Sequence, residues 1–298
     1  MRLAQIALPS GEVHAGLVEG DEVTDIAGPR GDDVLELLRR ASSAGRLLAE
    51  VVADAPRGAR HSLRALTAGT ADAPRLAIPI HPPEVWGCGV TYRRSAEFRD
   101  EDAQTAARGI YDQVYTSARP EIFFKATAAR CVGPGETIRV RSDSTFTAPE
   151  PELAIVLDRK GRIVGYTIAN DVSAWDIERE NPLYLPQSKI FQGCCALGPA
   201  IVTPDEVGDG RGLRLACRIH RDGRTIFEGE VSTDRISRTF DELIHYLMLD
   251  NPIPDGTVVL TGTGVIVTLE HALAPGDVVE IEVDRLGVLR NTVGRSVI

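Results

Sequence analysis

The sequence has little that would place it outside a reduced, aqueous compartment. Its five cysteines (Cys88, Cys131, Cys194, Cys195 and Cys217) are odd in number and none falls in a Cys-x-x-Cys pair. That count argues against a disulfide framework and for reduced thiols in a cytoplasmic protein. No block of Lys or Arg occurs; 33 basic residues stand against 43 acidic ones, for a formal net charge of −10 and a pI of about 5.2. Such a chain has no global field to draw a phosphate backbone, so nucleic acid is not an expected partner. The first residues, MRLAQIALPSGEVHAG, lack the charged-then-apolar order of a secretory signal. The longest apolar runs, such as TVVLTGTGVIV, are short and broken by glycine, so no membrane span is expected. Internal repeats and low-complexity tracts are absent as well. What remains is a chain of 298 residues, 43% hydrophobic and 26% charged, long enough for one large domain or two modest ones.

Two units are expected, 1–75 and 76–298. In the first, RLAQIAL and GLVEGDEVTDI are short strands broken by turn residues. Asp32 or Asp33 then caps VLELLRRASSAGRLLAEVV, where Leu35, Leu37, Leu38, Leu47, Leu48 and Val51 recur at helical spacing. TAGTADAPR reads as a linker. Beyond Ile78 short β-like runs dominate, among them EVWGCGVTY, IFFKAT, ELAIVLD, RIVGYTIAND and LRLACRIHRDG. Two segments with helical patterning interrupt them, SAEFRDEDAQTAARGIYDQVY and DRISRTFDELIHYLMLD. Strands in succession rather than alternating βαβ units predict a β-rich α+β fold.

The segment TAPEPELAIVLDRKGRIVGYTIANDVSAWD carries the most chemistry. In Pro149-Glu150-Pro151-Glu152 each proline biases the preceding residue to extended backbone, so both glutamates project from one side. ELAIVLD is a strand, 158–162 a turn, and IVGYTIAND the returning strand. A turn centred on Lys160 sets residue 150 opposite about residue 170, which brings Asp171 beside Glu150 and Glu152. A slip of one residue would turn Asp171 to the other face. Two readings follow. Three crowded carboxylates would repel unless protonated or bound to a cation, and all-oxygen ligation selects Mg²⁺, Mn²⁺ or Ca²⁺. Alternatively, Glu150 and Glu152 are solvated residues of a surface strand.

GCGVTY, PEIFFKAT, the Glu-Pro-Glu pair, YTIANDVSAWD, QSKIFQGCCALGPAIVTPDE and the TGTG of LTGTGV resemble, in order and spacing, motifs of the fumarylacetoacetate hydrolase superfamily. The resemblance spans the whole chain. It implies a mixed β-sandwich or roll as catalytic domain, with a small N-terminal α+β domain before it. It also implies a divalent metal, usually Mg²⁺ with Mn²⁺ as the alternative, held by Glu150, Glu152 and Asp171, and a homodimer. Carbon–carbon hydrolases of that superfamily activate water with a His and a Glu in a Gly-Leu-Asn-Tyr-x-x-His-Ala-x-x-Glu motif. Here Ser95 stands in place of the His and Phe98 in place of the Glu, which disfavours hydrolysis.

A narrower set (RPEIFFKAT, SDS, PEPELAIVLD, ENPLYLPQSKI, GCCALGPAIVT and DNPIPDGT) resembles the branch that removes water from 2-keto-3-deoxy sugar acids such as 2-keto-3-deoxy-D-arabinonate, giving 2,5-dioxopentanoate. In that branch the positions of Glu121 and Lys189 are implicated in catalysis. Trp175 departs from the pattern, since relatives commonly carry Arg there. A 2-keto acid can chelate a metal, a base can take a C3 proton, and an acid can assist loss of the C4 hydroxyl. Lys189 is the expected base, its pKa lowered by burial and by the metal, unless it only snorkels over Phe191. Glu121 is the expected proton donor, with Lys125 as an electrostatic partner for it or for the substrate carboxylate. Thr261, Gly262 and Thr263 are expected to present N–H groups to an anion, and Tyr92, Arg94 and Ser95 to bind substrate hydroxyls or carboxylate. The competing readings are another 2-keto acid reaction (acylpyruvate hydrolysis, oxaloacetate decarboxylation or tautomerisation) and a non-catalytic sugar-acid-binding module.

Overall fold

The Pro-bracketed acidic hairpin lies in the middle of the largest sheet of the computed structural model, which describes residues 1–102 and 109–296. Its strands are Pro151–Leu157 and Ile163–Asp171, paired antiparallel. A bulge between Val156 and Leu157 adds one residue to the pairing, so Pro151 meets Asn170 and the Asp171 N–H donates to the Glu150 carbonyl at 2.9 Å. The expected register was one residue short; the bulge supplies the difference and sets Asp171 directly across from Glu150.

Among the described residues this sheet has twelve strands. Its main path runs Arg60–Ser62, Glu22–Asp25, Val13–Glu19, Arg2–Ala7, Cys195–Val202, Ile163–Asp171, Pro151–Leu157, Thr257–Leu260, Val85–Gly89, Glu121–Ala126. The N-terminal strands therefore continue the sheet that carries the hairpin, with Arg2 opposite Val202 and Leu3 opposite Ile201. A second sheet of five strands (Arg224–Ser232, Arg214–Arg221, Val278–Val283, Gly287–Arg295, Thr137–Val140) packs on the first. Leu153, Ile155, Leu215, Cys217, Ile219 and Ile281 belong to one buried core between them. Each Leu or Ile so buried contributes about 1.5–3 kcal/mol relative to an exposed one. Every residue of Pro151–Leu157 is buried, as expected for a strand covered on both faces. The β-rich α+β sandwich is the class the sequence predicts.

The helices are shorter than the periodicity suggests. Asp33 caps Val34–Ala44, accepting from the Glu36 N–H at 2.8 Å, but Gly45 ends that helix with φ 66° and a second begins at Leu48. The segment expected as one helix over 95–115 holds Arg93–Asp102 and Ile110–Thr116; residues 103–108 between them lie outside the described residues. In the last helical segment only Phe240–Met248 is α-helix, started by the Thr239 hydroxyl, which accepts from the Glu242 N–H at 3.1 Å.

Strand direction places the chemistry. The starts of Pro151–Leu157 and Glu121–Ala126 and the ends of Ile163–Asp171, Thr257–Leu260 and Val85–Gly89 all meet at one end of the large sheet.

Candidate active site

Glu150, Glu152 and Asp171 each bring a carboxylate oxygen within 4.8 Å of the others, and all three residues are buried. The extended Pro-Glu-Pro-Glu stretch puts both glutamates on one side. Asn170 fixes its start, its side-chain oxygen accepting the Glu150 N–H at 3.1 Å. Buried carboxylates need counter-charge, and three cations supply it. Lys189, at the end of the short helix Leu185–Lys189, reaches Glu150 Oε2 at 3.0 Å, Asp171 Oδ2 at 3.1 Å and Ser173 Oγ at 2.7 Å. Lys125 pairs with Asp171 and donates to the Val172 and Lys189 carbonyls at 2.9 and 2.6 Å. Arg99 donates to Glu150 Oε1 at 2.9 Å, and the Trp175 indole donates to the same oxygen at 2.5 Å.

The charges divide unequally. Burial alone would push Glu150 up, but Lys189 and Arg99, with hydrogen bonds from Lys189 and Trp175, bring its pKa down to about 2. Glu152 moves the other way, raised by burial and by the Asp171 and Glu150 charges. Lys189 opposes that rise, but among the described residues the Glu152 carboxylate has one hydrogen bond, from the Gly262 N–H at 2.5 Å, and no ion-pair contact. This donor set fits a hard divalent cation: three buried carboxylates, no Cys or His among them, and one acid, Glu152, without a direct ion-pair contact among the described residues.

The three acids open onto a narrow cleft. Ser95, Glu121, Lys189, Gly262 and Thr263 line it beside them; Tyr92, Arg94, Lys125 and Thr261 do not. Glu121 starts its strand across from Gly89, and burial together with the nearby Glu178 raises its pKa, against Arg99 and Lys189. A carboxyl so placed holds its proton better than a surface glutamate. Lys189 is governed by its carboxylate partners. Burial lowers its pKa, but Asp171 and Glu150 outweigh burial and raise it, so with the carboxylates as its partners it is an ammonium.

Four further expectations are corrected. Lys125 is fully buried, ion-paired to Asp171 and hydrogen-bonded to two carbonyls, and it does not line the cleft. Thr261 donates its hydroxyl to the Leu153 carbonyl at 2.8 Å and closes the sheet. Gly262 gives its N–H to Glu152 instead of an external anion. Tyr92 and Arg94 line a neighbouring groove with Arg235 and Gly264, while Ser95, in the helix Arg93–Asp102, lines the cleft.

Sequence reasoning missed Arg99, Glu178 and Phe123, which also line the cleft. Arg99 bridges Glu150 and Glu178, takes Ser95 Oγ at 3.3 Å, and lies 5.2 Å from the centre of the Trp175 ring. Its partners are 51 and 79 residues away, and no motif marks them. Phe123 was accessible to reasoning: it alternates with Glu121 and Lys125 on one strand, and its ring centre sits 5.4 Å from Lys189 Nζ. Phe98 packs against Trp175 with ring centres 5.4 Å apart, and none of the described residues lining the cleft is a histidine, so the water-activating pair of the hydrolases has no counterpart among them.

Comparison with known proteins adds to this geometry. The family model described as the fumarylacetoacetate (FAA) hydrolase C-terminal region matches residues 84–294. The 2-dehydro-3-deoxy-D-arabinonate dehydratase of Saccharolobus solfataricus is 54% identical over 217 residues, 72% of this chain and 73% of that protein. The probable 2-keto-3-deoxyxylonate dehydratase of Haloferax volcanii is 45% identical over 216 residues, 72% of this chain and 74% of that one. The solved structure of a 2-keto-3-deoxy-D-arabinonate dehydratase complexed with magnesium and 2,5-dioxopentanoate superposes with a TM-score of 0.86 at 42% identity, covering 99% of both chains.

Proposed function

The chain belongs to the fumarylacetoacetate hydrolase family, and from that premise we propose that it is a divalent-metal-dependent hydro-lyase that dehydrates a 2-keto-3-deoxy sugar acid, 2-keto-3-deoxy-D-arabinonate being the reference substrate, to 2,5-dioxopentanoate. The observation that carries this reading is one cleft that unites the buried triad Glu150, Glu152 and Asp171 with Lys189 and Glu121, whose pKa burial raises. Likeness to two dehydratases across more than two thirds of each chain supports the reaction type.

Glu150, Glu152 and Asp171 would hold the cation, Mg²⁺ by likeness to the magnesium complex, with Mn²⁺ suited to the same oxygens. When bound, it supplies Lewis-acid stabilisation of the negative charge that builds on the 2-keto oxygen as C3 loses a proton. Lys189 Nζ, held by three oxygens on the floor of the cleft, is placed to move that C3 proton. It does so from its neutral form, which a positive charge on the same carboxylates favours over the ammonium. Glu121 holds the proton that the leaving C4 hydroxyl needs to depart as water. The alkene left between C3 and C4 then isomerises through an enol to the C5 aldehyde. Arg99 neutralises Glu150 and Glu178 at the edge of the cleft, and its stacking on Trp175 fixes it there.

Every residue in these roles lies beyond residue 75, so we read 76–298 as the catalytic unit and 1–75 as accessory. A cytoplasmic setting is supported by five cysteines that are all free, and no helix among the described residues is long and apolar enough to cross a membrane. A homodimer is the assembly the family resemblance supports. The discriminating experiment offers the metal-loaded protein 2-keto-3-deoxy-D-arabinonate, an acylpyruvate and oxaloacetate side by side. Consumption of the sugar acid with one water lost per turnover is expected. Cleavage of the acylpyruvate, or tautomerisation of oxaloacetate without dehydration, would assign the cleft to another reaction of the family.

A further inference from the structure

Among the described residues, the Glu152 carboxylate has a single hydrogen bond, from the Gly262 N–H at 2.5 Å. That N–H belongs to the peptide group joining Thr261 to Gly262, and the carbonyl oxygen of the same group accepts the Thr91 hydroxyl at 2.6 Å. Thr91 Oγ1, the Thr261–Gly262 peptide and Glu152 Oε2 therefore form a chain of two bonds through one amide. A proton donated to an amide oxygen polarises the group and strengthens its N–H as a donor, and the effect is larger in a buried setting. Thr91, Thr261 and Glu152 are each at most 2% exposed.

The backbone on both sides is built for this approach. Val90, immediately before Thr91, has φ 55°, a left-handed conformation that a β-branched residue rarely adopts. The Thr91 carbonyl is held by the Ser237 N–H and hydroxyl, both at 2.9 Å. Gly262 has φ 92°, and a Cβ built there would lie 2.1 Å from Thr91 Oγ1. Glycine at 262 and the strained turn at 90 together admit the hydroxyl to the peptide. Thr261 clamps the same peptide from behind, its N–H and hydroxyl donating to the Leu153 carbonyl at 3.1 and 2.8 Å.

We propose that Thr91 is a positioning residue for the metal site: its hydroxyl, acting through the Thr261–Gly262 peptide, orients the Glu152 carboxylate for the divalent cation. The proposal rests on the reading of Glu152 as a metal ligand. It gives the Thr261–Gly262 peptide a part in the metal site.

The test is direct titration of the full chain with Mn²⁺, by calorimetry or electron paramagnetic resonance, with no substrate present. Wild type, T91V, T91S and E152Q are compared, and thermal melts check folding. T91V keeps the branched shape and loses the hydroxyl; its Mn²⁺ affinity is expected to fall about tenfold or more, the usual cost of losing a partner behind a metal ligand. T91S keeps the hydroxyl and is expected to stay within about twofold of wild type by the same reasoning. Wild-type affinity in T91V alongside a clear loss in E152Q would overturn the relay and leave the metal site standing. Equal losses in T91S and T91V would assign Thr91 to packing by its methyl group. Unchanged affinity in E152Q would overturn the ligand reading itself. If T91V does not fold, T91A carries the same comparison.

Discussion

Replacing Lys189 with methionine (K189M) removes the ammonium that Glu150 and Asp171 share and keeps an unbranched side chain of similar length. The structure sets the size of the effect. Removing one side of a buried ion pair costs about 3–5 kcal/mol, because a charge is left uncompensated. The lower end applies here, since Glu150 keeps Arg99 and Trp175, and Asp171 keeps Lys125. Metal-free K189M should therefore be about 3 kcal/mol less stable than wild type. A divalent cation at a hundredfold excess over its Kd adds about 2.7 kcal/mol to any protein that binds it only when folded. In wild type that cation displaces the influence of Lys189 on the carboxylates; in K189M it meets no such competitor. Urea denaturation at neutral pH, with EDTA and then with saturating Mg²⁺, measures both terms. The gap should be wide in EDTA and narrow in Mg²⁺, while dehydration by K189M is lost at both. If K189M matches wild type in EDTA, or if Mg²⁺ stabilises the two equally, the account of Lys189 as counter-ion to the triad is wrong.

Substituting Glu121 by glutamine (E121Q) removes the proton donor and leaves the triad untouched, so kcat should fall by about 10²–10⁴ while Mn²⁺ titration stays at the wild-type value. G262A places a methyl group against Thr91 Oγ1 at a residue whose φ is 92°; denaturation should show a loss of about 2 kcal/mol or more, with weakened metal binding. Asp176 accepts from the Ser144 hydroxyl at 2.7 Å and the Thr145 N–H at 2.6 Å, bonds that lower its pKa against the effect of burial. A lowered carboxylate pKa contributes stability above its unfolded value, near 3.8, and that contribution is lost as pH falls through the folded value. D176N should thus be less stable than wild type at pH 7, and the difference should shrink in acid below the unfolded pKa. Denaturation midpoints across pH would show it, and a difference that grows in acid would contradict the assignment.

Local patterns carried much of this structure. The prolines at 149 and 151 and the turn at 158–162 announce the hairpin, and the alternation of Leu153, Ile155 and Leu157 announces its buried strand. Counting back from the turn brought Asp171 to the glutamates within one residue; the bulge at Val156 and Leu157 has no sequence signature and supplied the remainder. Gly45 shows why the first helix was read too long, for the Leu spacing continues past a glycine that leaves the helix with φ 66°. Long-range partners were hidden for a different reason. Arg99 reaches Glu150 and Glu178 because the helix Arg93–Asp102 lies over the sheet end, and nothing in the spacing of those three residues encodes that. The Lys189 shift was weighed from burial and a bound cation; the charges of Asp171 and Glu150, which only the folded chain brings to its ammonium, raise its pKa while they are its partners. The TGTG loop looked like an anion cradle because its N–H groups are visible in sequence, while the acceptors of two of them, Leu153 for Thr261 and Glu152 for Gly262, are not.

The central claim is that the three carboxylates, Lys189 and Glu121 together perform a metal-dependent dehydration. The measurement that meets it most directly follows 2,5-dioxopentanoate by mass spectrometry when the protein is incubated with 2-keto-3-deoxy-D-arabinonate, first in EDTA and then with Mg²⁺ restored. Product that is absent in EDTA and returns with Mg²⁺ is the predicted result. Product formed at the same rate in EDTA, or none formed with Mg²⁺ restored to a folded protein, would contradict the account.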